Sequence, residues 1–167
     1  MKIGIKISEQ TTRQYVGKIS SSICFFEIYV LPRRTHEYLD WLLSFKKPVV
    51  IHMPHFANGI NFANPDRKDI NLESLEYSIK LADYLGSEKI IFHPELIENG
   101  SRNDSIDSAV KFFKQNYDPR LLVENMPFSS DGHEHLGGSF NEIADIIDHT
   151  GVNFCLDFAH AAEYAKK

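Results

Sequence analysis

Leu121-Leu122-Val123-Glu124-Asn125-Met126-Pro127 is three apolar residues running into a carboxylate and an amide, closed by a proline. A run that is apolar on both faces reads as a buried parallel strand. Its chemistry sits at the C-terminal end. Three other runs share the design. Val49-Val50-Ile51 leads into His52, Ile90-Ile91-Phe92 into His93, and Phe154-Cys155-Leu156 into Asp157. Each buried run ends in a residue able to ligate a metal.

Between these runs the chain supplies helices. A weakly periodic helix is expected over 9–20. Thr35 can cap a helix carrying Tyr38, Leu39, Leu42 and Leu43. Leu72, Leu75, Ile79 and Ala82 share one helical face, from Asn71 to the stop at Gly86. Residues 104–117 and a capping box of Ser139 and Glu142 give two more, and a last helix starts at 159. Residues 2–7 alternate as a short strand, and residues 23–30 form a β-rich run holding Glu27. The loop 53–69 is long and rich in Asn, Pro and Gly, and loops of that length are often functional.

Strand and helix thus alternate six times, which gives parallel strands with right-handed crossovers. The expected fold class is α/β, of the (β/α)8 barrel type. A barrel collects all strand C-termini in one ring, where the site lies, whereas a doubly wound sheet concentrates its site at one switch point. Here every strand ends in a polar residue. A whole barrel takes roughly 250 residues, so the 167 residues present are expected to form one domain over 1–167 with about six βα units, incomplete at the C-terminus. Open sheet edges would then need cover, for instance from another chain in an oligomer.

The composition is 43% apolar and 25% charged, that of a globular chain and not a disordered one. A net charge of −5 does not suggest a general nucleic-acid binder, although a local basic groove stays open. No run is apolar for long enough to span a membrane, and MKIGIKIS is too short and polar for a signal peptide. Cys24 and Cys155 lie in apolar runs, where buried free thiols of a reducing cytoplasm are expected.

His52, His93, Glu124 and Asp157 would meet at one barrel mouth, with His160 three residues on. Imidazole and carboxylate together suit zinc first, or manganese or iron. A lone histidine at a strand end is usually a satisfied structural residue; four strands ending this way are not a chance pattern. His133 and His135 lie in a glycine-bearing loop and read either as ligand contacts or as solvated, the second being the default. Arg33-Arg34 could meet a phosphate, against the default of a solvated pair. Glu27, if buried, would need a partner, which makes it a candidate for substrate or metal.

At these residues the chain resembles the xylose isomerase-like barrel superfamily, which includes endonuclease IV and sugar-phosphate isomerases and epimerases. Ile51-His52-Met53-Pro54-His55 resembles its His-x-Pro-Tyr stretch, and Asn61-Phe62-Ala63-Asn64-Pro65-Asp66 the loop after it. Leu85-Gly86-Ser87 with Phe92-His93-Pro94 resembles "Leu-Gly-Ala … His-Pro-Gly". Glu124-Asn125 with Leu136-Gly137 resembles "Glu-Asn … Leu-Gly", and Leu156-Asp157-Phe158-Ala159-His160 resembles "Leu-Asp-x-x-His". The resemblance implies metal ligands at His52, His93, Glu124, Asp157 and His160 for the endonuclease branch, with Glu124 bridging. For the isomerases it implies one divalent metal at Glu124 and Asp157. Glu124 and His160 are the expected catalytic residues; Glu27, His55, Asn125 and His133 are the expected substrate contacts.

Departures divide the branches. His52 with His93 favours the endonuclease. Lys6 stands where its Gly-x-His-x-Ser start has histidine, and His55 replaces a tyrosine. Arg33, Arg34, Arg67, Lys68 and Arg102 nearly balance Glu95, Glu98, Asp66, Asp69 and Asp131 around the expected mouth. The expected function is therefore isomerisation or epimerisation of a small sugar or sugar phosphate, the metal polarising carbonyl and hydroxyl while Glu124 handles a proton. The alternative is zinc-dependent hydrolysis of a phosphodiester at an abasic site in DNA, and the second alternative a barrel that only binds a ligand.

Overall fold

The computed structural model describes residues 2–8, 10–31, 36–98, 100–130 and 132–164. Arg33, Arg34, Thr35 and Asp131 lie outside the described residues. Strands β1 Gly4–Ile7, β2 Phe25–Tyr29, β3 Val49–His52, β4 Ile90–Phe92 and β5 Leu121–Glu124 are followed by a short pair, β6 Ser129–Ser130 and β7 His133–Glu134, and by β8 Asn153–Cys155. The helices are α1 Arg13–Ile19, α2 His36–Leu43, α3 Lys68–Leu85, α4 Arg102–Gln115, α5 Phe140–Thr150 and α6 Phe158–Tyr164.

β1, β2, β3, β4, β5 and β8 pair in that order, and every pair is parallel. Strand order follows chain order with no reversal. That is the sheet of a (β/α)8-type barrel; a doubly wound sheet would reverse at its switch point. Six of a barrel's eight strands are present. Among the described residues nothing pairs beyond β8, and Phe154, Leu156 and Phe158 beside it are exposed.

Local chemistry explains the helix bounds. Ser101 and Asp104 close a capping box on α4, and Ser139 and Glu142 close one on α5, each satisfying two otherwise orphaned N–H groups. The helix expected over 9–20 is shorter: Thr12 caps α1, and residues 20–22 tighten into a 3-10 turn. The helix expected from Asn71 starts earlier, at Lys68, after a 3-10 turn capped by Asn64.

The strands carry Ile28, Ile51, Phe92, Leu121 and Val123 into the core, and the helices add Leu75, Ala82, Phe113 and Ile146. Phe62, Phe92 and Phe113 form its aromatic centre; the last two rings stack at 4.0 Å. Each buried Val, Leu, Ile or Phe side chain among them contributes roughly 1.5–3 kcal/mol by leaving water. The expectation of two buried thiols is corrected here. Cys24 precedes β2 and is exposed, and Cys155 is half-buried, because β8 has one uncovered flank; both are free. Among the described residues no helix is long and apolar enough to cross a membrane.

Candidate metal centre

β3, β4 and β5 run parallel, His52 pairing with Ile91 and Phe92 with Val123, so their last residues lie at one end of the sheet. His52 closes β3, His93 follows β4 and Glu124 closes β5. His52 Nε2 lies 3.2 Å from His93 Nε2, and His93 Nε2 lies 3.6 Å from Glu124 Oε1. Two ligands each about 2.05 Å from one zinc ion, at a tetrahedral angle, stand about 3.3 Å apart. The three atoms therefore have the spacing of a shared ligand set, and nitrogen with oxygen is a donor set that zinc accepts.

A second group adjoins the first. Glu124, Asp157 and His160 bring ligand atoms within 4.8 Å of one another. Glu124 Oε1 is also 3.6 Å from His160 Nδ1, so Glu124 stands between the groups. Asp157 follows β8 and accepts the His160 N–H at 2.9 Å, which caps α6 and holds the two residues in register. His160 Nδ1 lies 2.8 Å from the Asn125 carbonyl, which takes its proton and leaves Nε2 as the free donor atom. A ligating histidine usually spends its second nitrogen in this way.

Of the expected substrate contacts, Glu27, His55 and Asn125 touch residues of this cluster. Glu27 Oε1 lies 2.9 Å from His52 Nδ1, and Lys6 Nζ is 3.2 Å from the same oxygen. Lys6 and Glu27 are register partners on β1 and β2, which puts them side by side. Burial raises the Glu27 carboxyl, but the His52 hydrogen bond and the His52 and Lys6 charges outweigh it and bring it down to about 2. Burial holds His52 below its usual value, against the pull of Glu27. Burial also raises the Glu124 carboxyl, yet the adjacent His93, His52 and Lys6 leave it below its ordinary value.

His55 stacks on His93, with ring centroids 5.6 Å apart and planes 25° apart, and the Tyr29 ring centroid lies 5.3 Å from that of His55. Burial and the neighbouring histidines lower His55 to about 4. The Asn125 amide faces the Asp157 main chain: Nδ2 donates to its carbonyl at 2.9 Å and Oδ1 accepts its N–H at 2.7 Å. His133 is exposed on β7 against Phe56. His135 departs from the solvated default: it is buried, its Nε2 2.7 Å from Ser130 Oγ.

The long loop after β3 holds its shape through buried amides. Asn61 Nδ2 donates to the Leu96 carbonyl, and Asn71 bonds both the N–H and the carbonyl of Asn61. This fixes His55 and Phe56 over the β4 exit. The hairpin of β6 and β7 closes the same exit from the other side. Leu136 N–H donates to the Glu95 carbonyl, and Ile97 N–H to the Glu134 carbonyl. Gly137, at φ 80°, packs where a Cβ would lie 2.8 Å from Pro94.

Glu95, counted from the sequence among the charges of the mouth, is instead 1% exposed, held by the loop above and the hairpin beside it. Burial raises its carboxyl well above the ordinary value, although the Phe56 N–H pulls the other way. Nothing in the sequence around His93-Pro94-Glu95 signals this, because its partners come from distant segments. Arg102, also counted at the mouth, is spent on structure: it pairs with Glu142 and Glu134 and lies over the Phe128 ring.

Comparison with known proteins agrees with this fold. A family model described as a xylose isomerase-like TIM barrel matches residues 36–167. The chain is 30% identical over 115 residues to endonuclease 4 of Thermus thermophilus, a match covering 68% of this chain and 40% of that one. It is 23% identical over 133 residues to a probable endonuclease 4 of Aquifex aeolicus, covering 76% of this chain and 47% of that one. The matches thus span less than half of these curated relatives. Among solved structures, a D-tagatose 3-epimerase-like protein superposes with a TM-score of 0.76 at 20% identity, covering 96% of this chain and 66% of that one. The crystal structure of a Thermus thermophilus endonuclease IV gives 0.64 at 22% identity, covering 96% and 64%. At these identities the two structures speak for the fold. The chain belongs to the xylose isomerase-like TIM barrel family.

Proposed function

We propose that the chain belongs to a divalent-metal enzyme that hydrolyses a phosphoester, with DNA at an abasic site as the substrate. The observation that carries this reading is that Glu124 belongs to two adjoining ligand groups, one with His52 and His93 and one with Asp157 and His160. His52 and His93 give that carboxylate a second ligand group, which a single-metal site does not require. Paired divalent ions would supply Lewis-acid stabilisation to both the attacking and the leaving oxygen. His52, His93 and Glu124 would hold one, and Glu124, Asp157 and His160 the other. Lys6, half-exposed beside Glu27, offers a fixed positive charge to an anionic oxygen. His55 and Tyr29 offer an aromatic wall beside His93. The endonuclease 4 relatives found by sequence support the same chemistry.

Sugar or sugar-phosphate isomerisation is the second reading. What favours it is the charge near the mouth, where, among the described residues, Arg67 and Lys68 stand beside Asp66, Asp69 and Glu98 with no basic excess to grip a duplex. The test loads the chain with zinc, counts bound metal, and offers an abasic duplex and, separately, a panel of ketose and aldose phosphates. Two ions per chain and salt-sensitive cleavage at the abasic site, lost in Glu124→Gln, are expected. Interconversion of a sugar, lost in the same variant, would replace the first reading with the second. No bound metal would overturn both.

A further inference from the structure

We propose that Glu95 is a positioning residue for His93, held in a strained backbone so that its carboxyl stands behind that imidazole. The inference rests on the metal-site reading above. Glu95 has φ 82°, the left-handed region that suits glycine and disfavours a side chain. It is also almost wholly buried. A strained, buried acid is doubly unfavourable, and such residues persist where the surroundings fix them and function uses them.

The surroundings do fix it. The Glu95 carbonyl accepts from Leu136 N–H at 2.8 Å, and Oε2 accepts from Phe56 N–H at 2.9 Å. Among the described residues Oε1 has no hydrogen-bond partner. It is the carboxyl oxygen that faces His93, 3.9 Å from Nδ1. His93 turns Nε2 toward His52 and Glu124, so Nδ1 is the nitrogen left for an outer partner. His52 already shows the finished arrangement, with Glu27 Oε1 at 2.9 Å from its Nδ1. The two central imidazoles thus each have a carboxyl on the side away from the cluster. A ligating histidine donates its second N–H to such a group, which fixes its tautomer and strengthens it as a ligand. At His93 the gap must close by about 1 Å to reach ordinary charge-assisted length.

The competing account is that Glu95 only clips the loop at Phe56. Two variants separate them, with zinc as the probe. Glu95→Gly removes the carboxyl and relieves the backbone. Glu95→Gln keeps the shape and the strain, but its single carbonyl oxygen cannot serve Phe56 and His93 together. Zinc affinity is read by competition with a chromophoric chelator, apo stability by thermal unfolding, and ligand geometry by the visible bands of the cobalt-substituted chain. A positioning role predicts zinc affinity lower by roughly 10–100-fold in both variants, altered cobalt bands in Glu95→Gln, and an apo Tm for Glu95→Gly no lower than wild type. Unchanged zinc affinity in both variants, with a lower Tm in Glu95→Gly, overturns the inference while leaving the metal site standing. Should Glu95→Gly fail to fold, zinc affinity in Glu95→Gln decides. A wild-type chain that binds no zinc overturns the metal site and this inference with it.

Discussion

Glu27 Oε1 accepts a hydrogen bond from His52 Nδ1 at 2.9 Å. With its carboxyl held down to about 2, Glu27 is ionised at neutral pH and can only accept. The proton of a neutral His52 therefore sits on Nδ1, and the lone pair of Nε2 points at His93. Glu27→Gln removes the charge that selects this tautomer. Zinc affinity is expected to fall by roughly 10–100-fold, measured by chelator competition near pH 7. An affinity unchanged within error would show that His52 needs no such partner.

Removal of a ligand should reduce what the metal adds to stability. A ligand bound to the native state alone stabilises it by about 2.7 kcal/mol at one hundred times its Kd. Wild type should gain at least that increment with zinc, read as a rise in Tm, and His93→Ala should gain clearly less, keeping only what Glu124, Asp157 and His160 can hold. An equal rise in both would place the bound zinc elsewhere.

The fold was legible because each buried run carried its own punctuation. His52, Glu124 and Asp157 end apolar stretches whose flanking helices keep period and caps, so alternation and site could be read together. What was not legible depends on tertiary partners. Glu95 follows a proline and reads as a loop charge; its burial comes from Phe56, 39 positions earlier, and from Leu136. The β6–β7 hairpin is only two residues per strand. Gly132 between them is a turn signal too weak alone to announce strands. Cys24 shares an apolar run with Phe25 and Phe26, but β2 starts one residue later and leaves it outside.

Away from the site, Asp118 takes a two-pronged bond from Arg120, Nε to Oδ1 at 2.9 Å and Nη2 to Oδ2 at 2.8 Å. The Arg120 bond holds the Asp118 carboxyl below its ordinary value of 3.8, against the effect of burial. A depressed carboxylate adds stability that is complete above its unfolded value and is lost as pH falls through its folded one. Asp118→Asn should therefore be less stable by roughly 1.5–3 kcal/mol at pH 7. The difference should shrink below about pH 4 and close once wild-type Asp118 is protonated. Urea unfolding at several pH values reads it, and a difference constant with pH would remove the charge from the explanation.

Gly137 joins the hairpin to the β4 exit. Its φ is 80°, and an added Cβ would lie 2.8 Å from Pro94 Cγ and 3.0 Å from Ile143 Cδ1. The left-handed backbone alone disfavours a side chain by about 1–2 kcal/mol, and crowding against a proline ring adds to it. Gly137→Ala should lose at least about 2 kcal/mol of stability. Because Pro94 follows His93, zinc affinity should fall as well. A loss well under 1 kcal/mol in denaturant unfolding would mean that the loop shifts freely and does not brace the site.

Lys6 supplies the last test, because it sets a cation beside the ligands. Its Nζ is 3.2 Å from Glu27 Oε1 and 3.1 Å from His52 Nδ1. Since His52 Nδ1 already carries a proton, the attraction is to Glu27, and the ammonium stays near His52 as a like charge to any bound metal. The side chain is 49% exposed, so water screens it. Like charges a few ångströms apart in such surroundings repel by on the order of 1 kcal/mol. Lys6→Met should therefore bind zinc several-fold more tightly at low salt. The gain should shrink as ionic strength rises and the Debye length falls toward about 3 Å at 1 M. Stability should change little, since an exposed ion pair contributes about 1 kcal/mol or less. An anionic substrate should respond in the opposite direction, with KM rising while kcat holds. Weaker zinc binding in Lys6→Met would mean that Lys6 acts by holding Glu27 on His52, and its charge would then serve the ligand set and not the substrate.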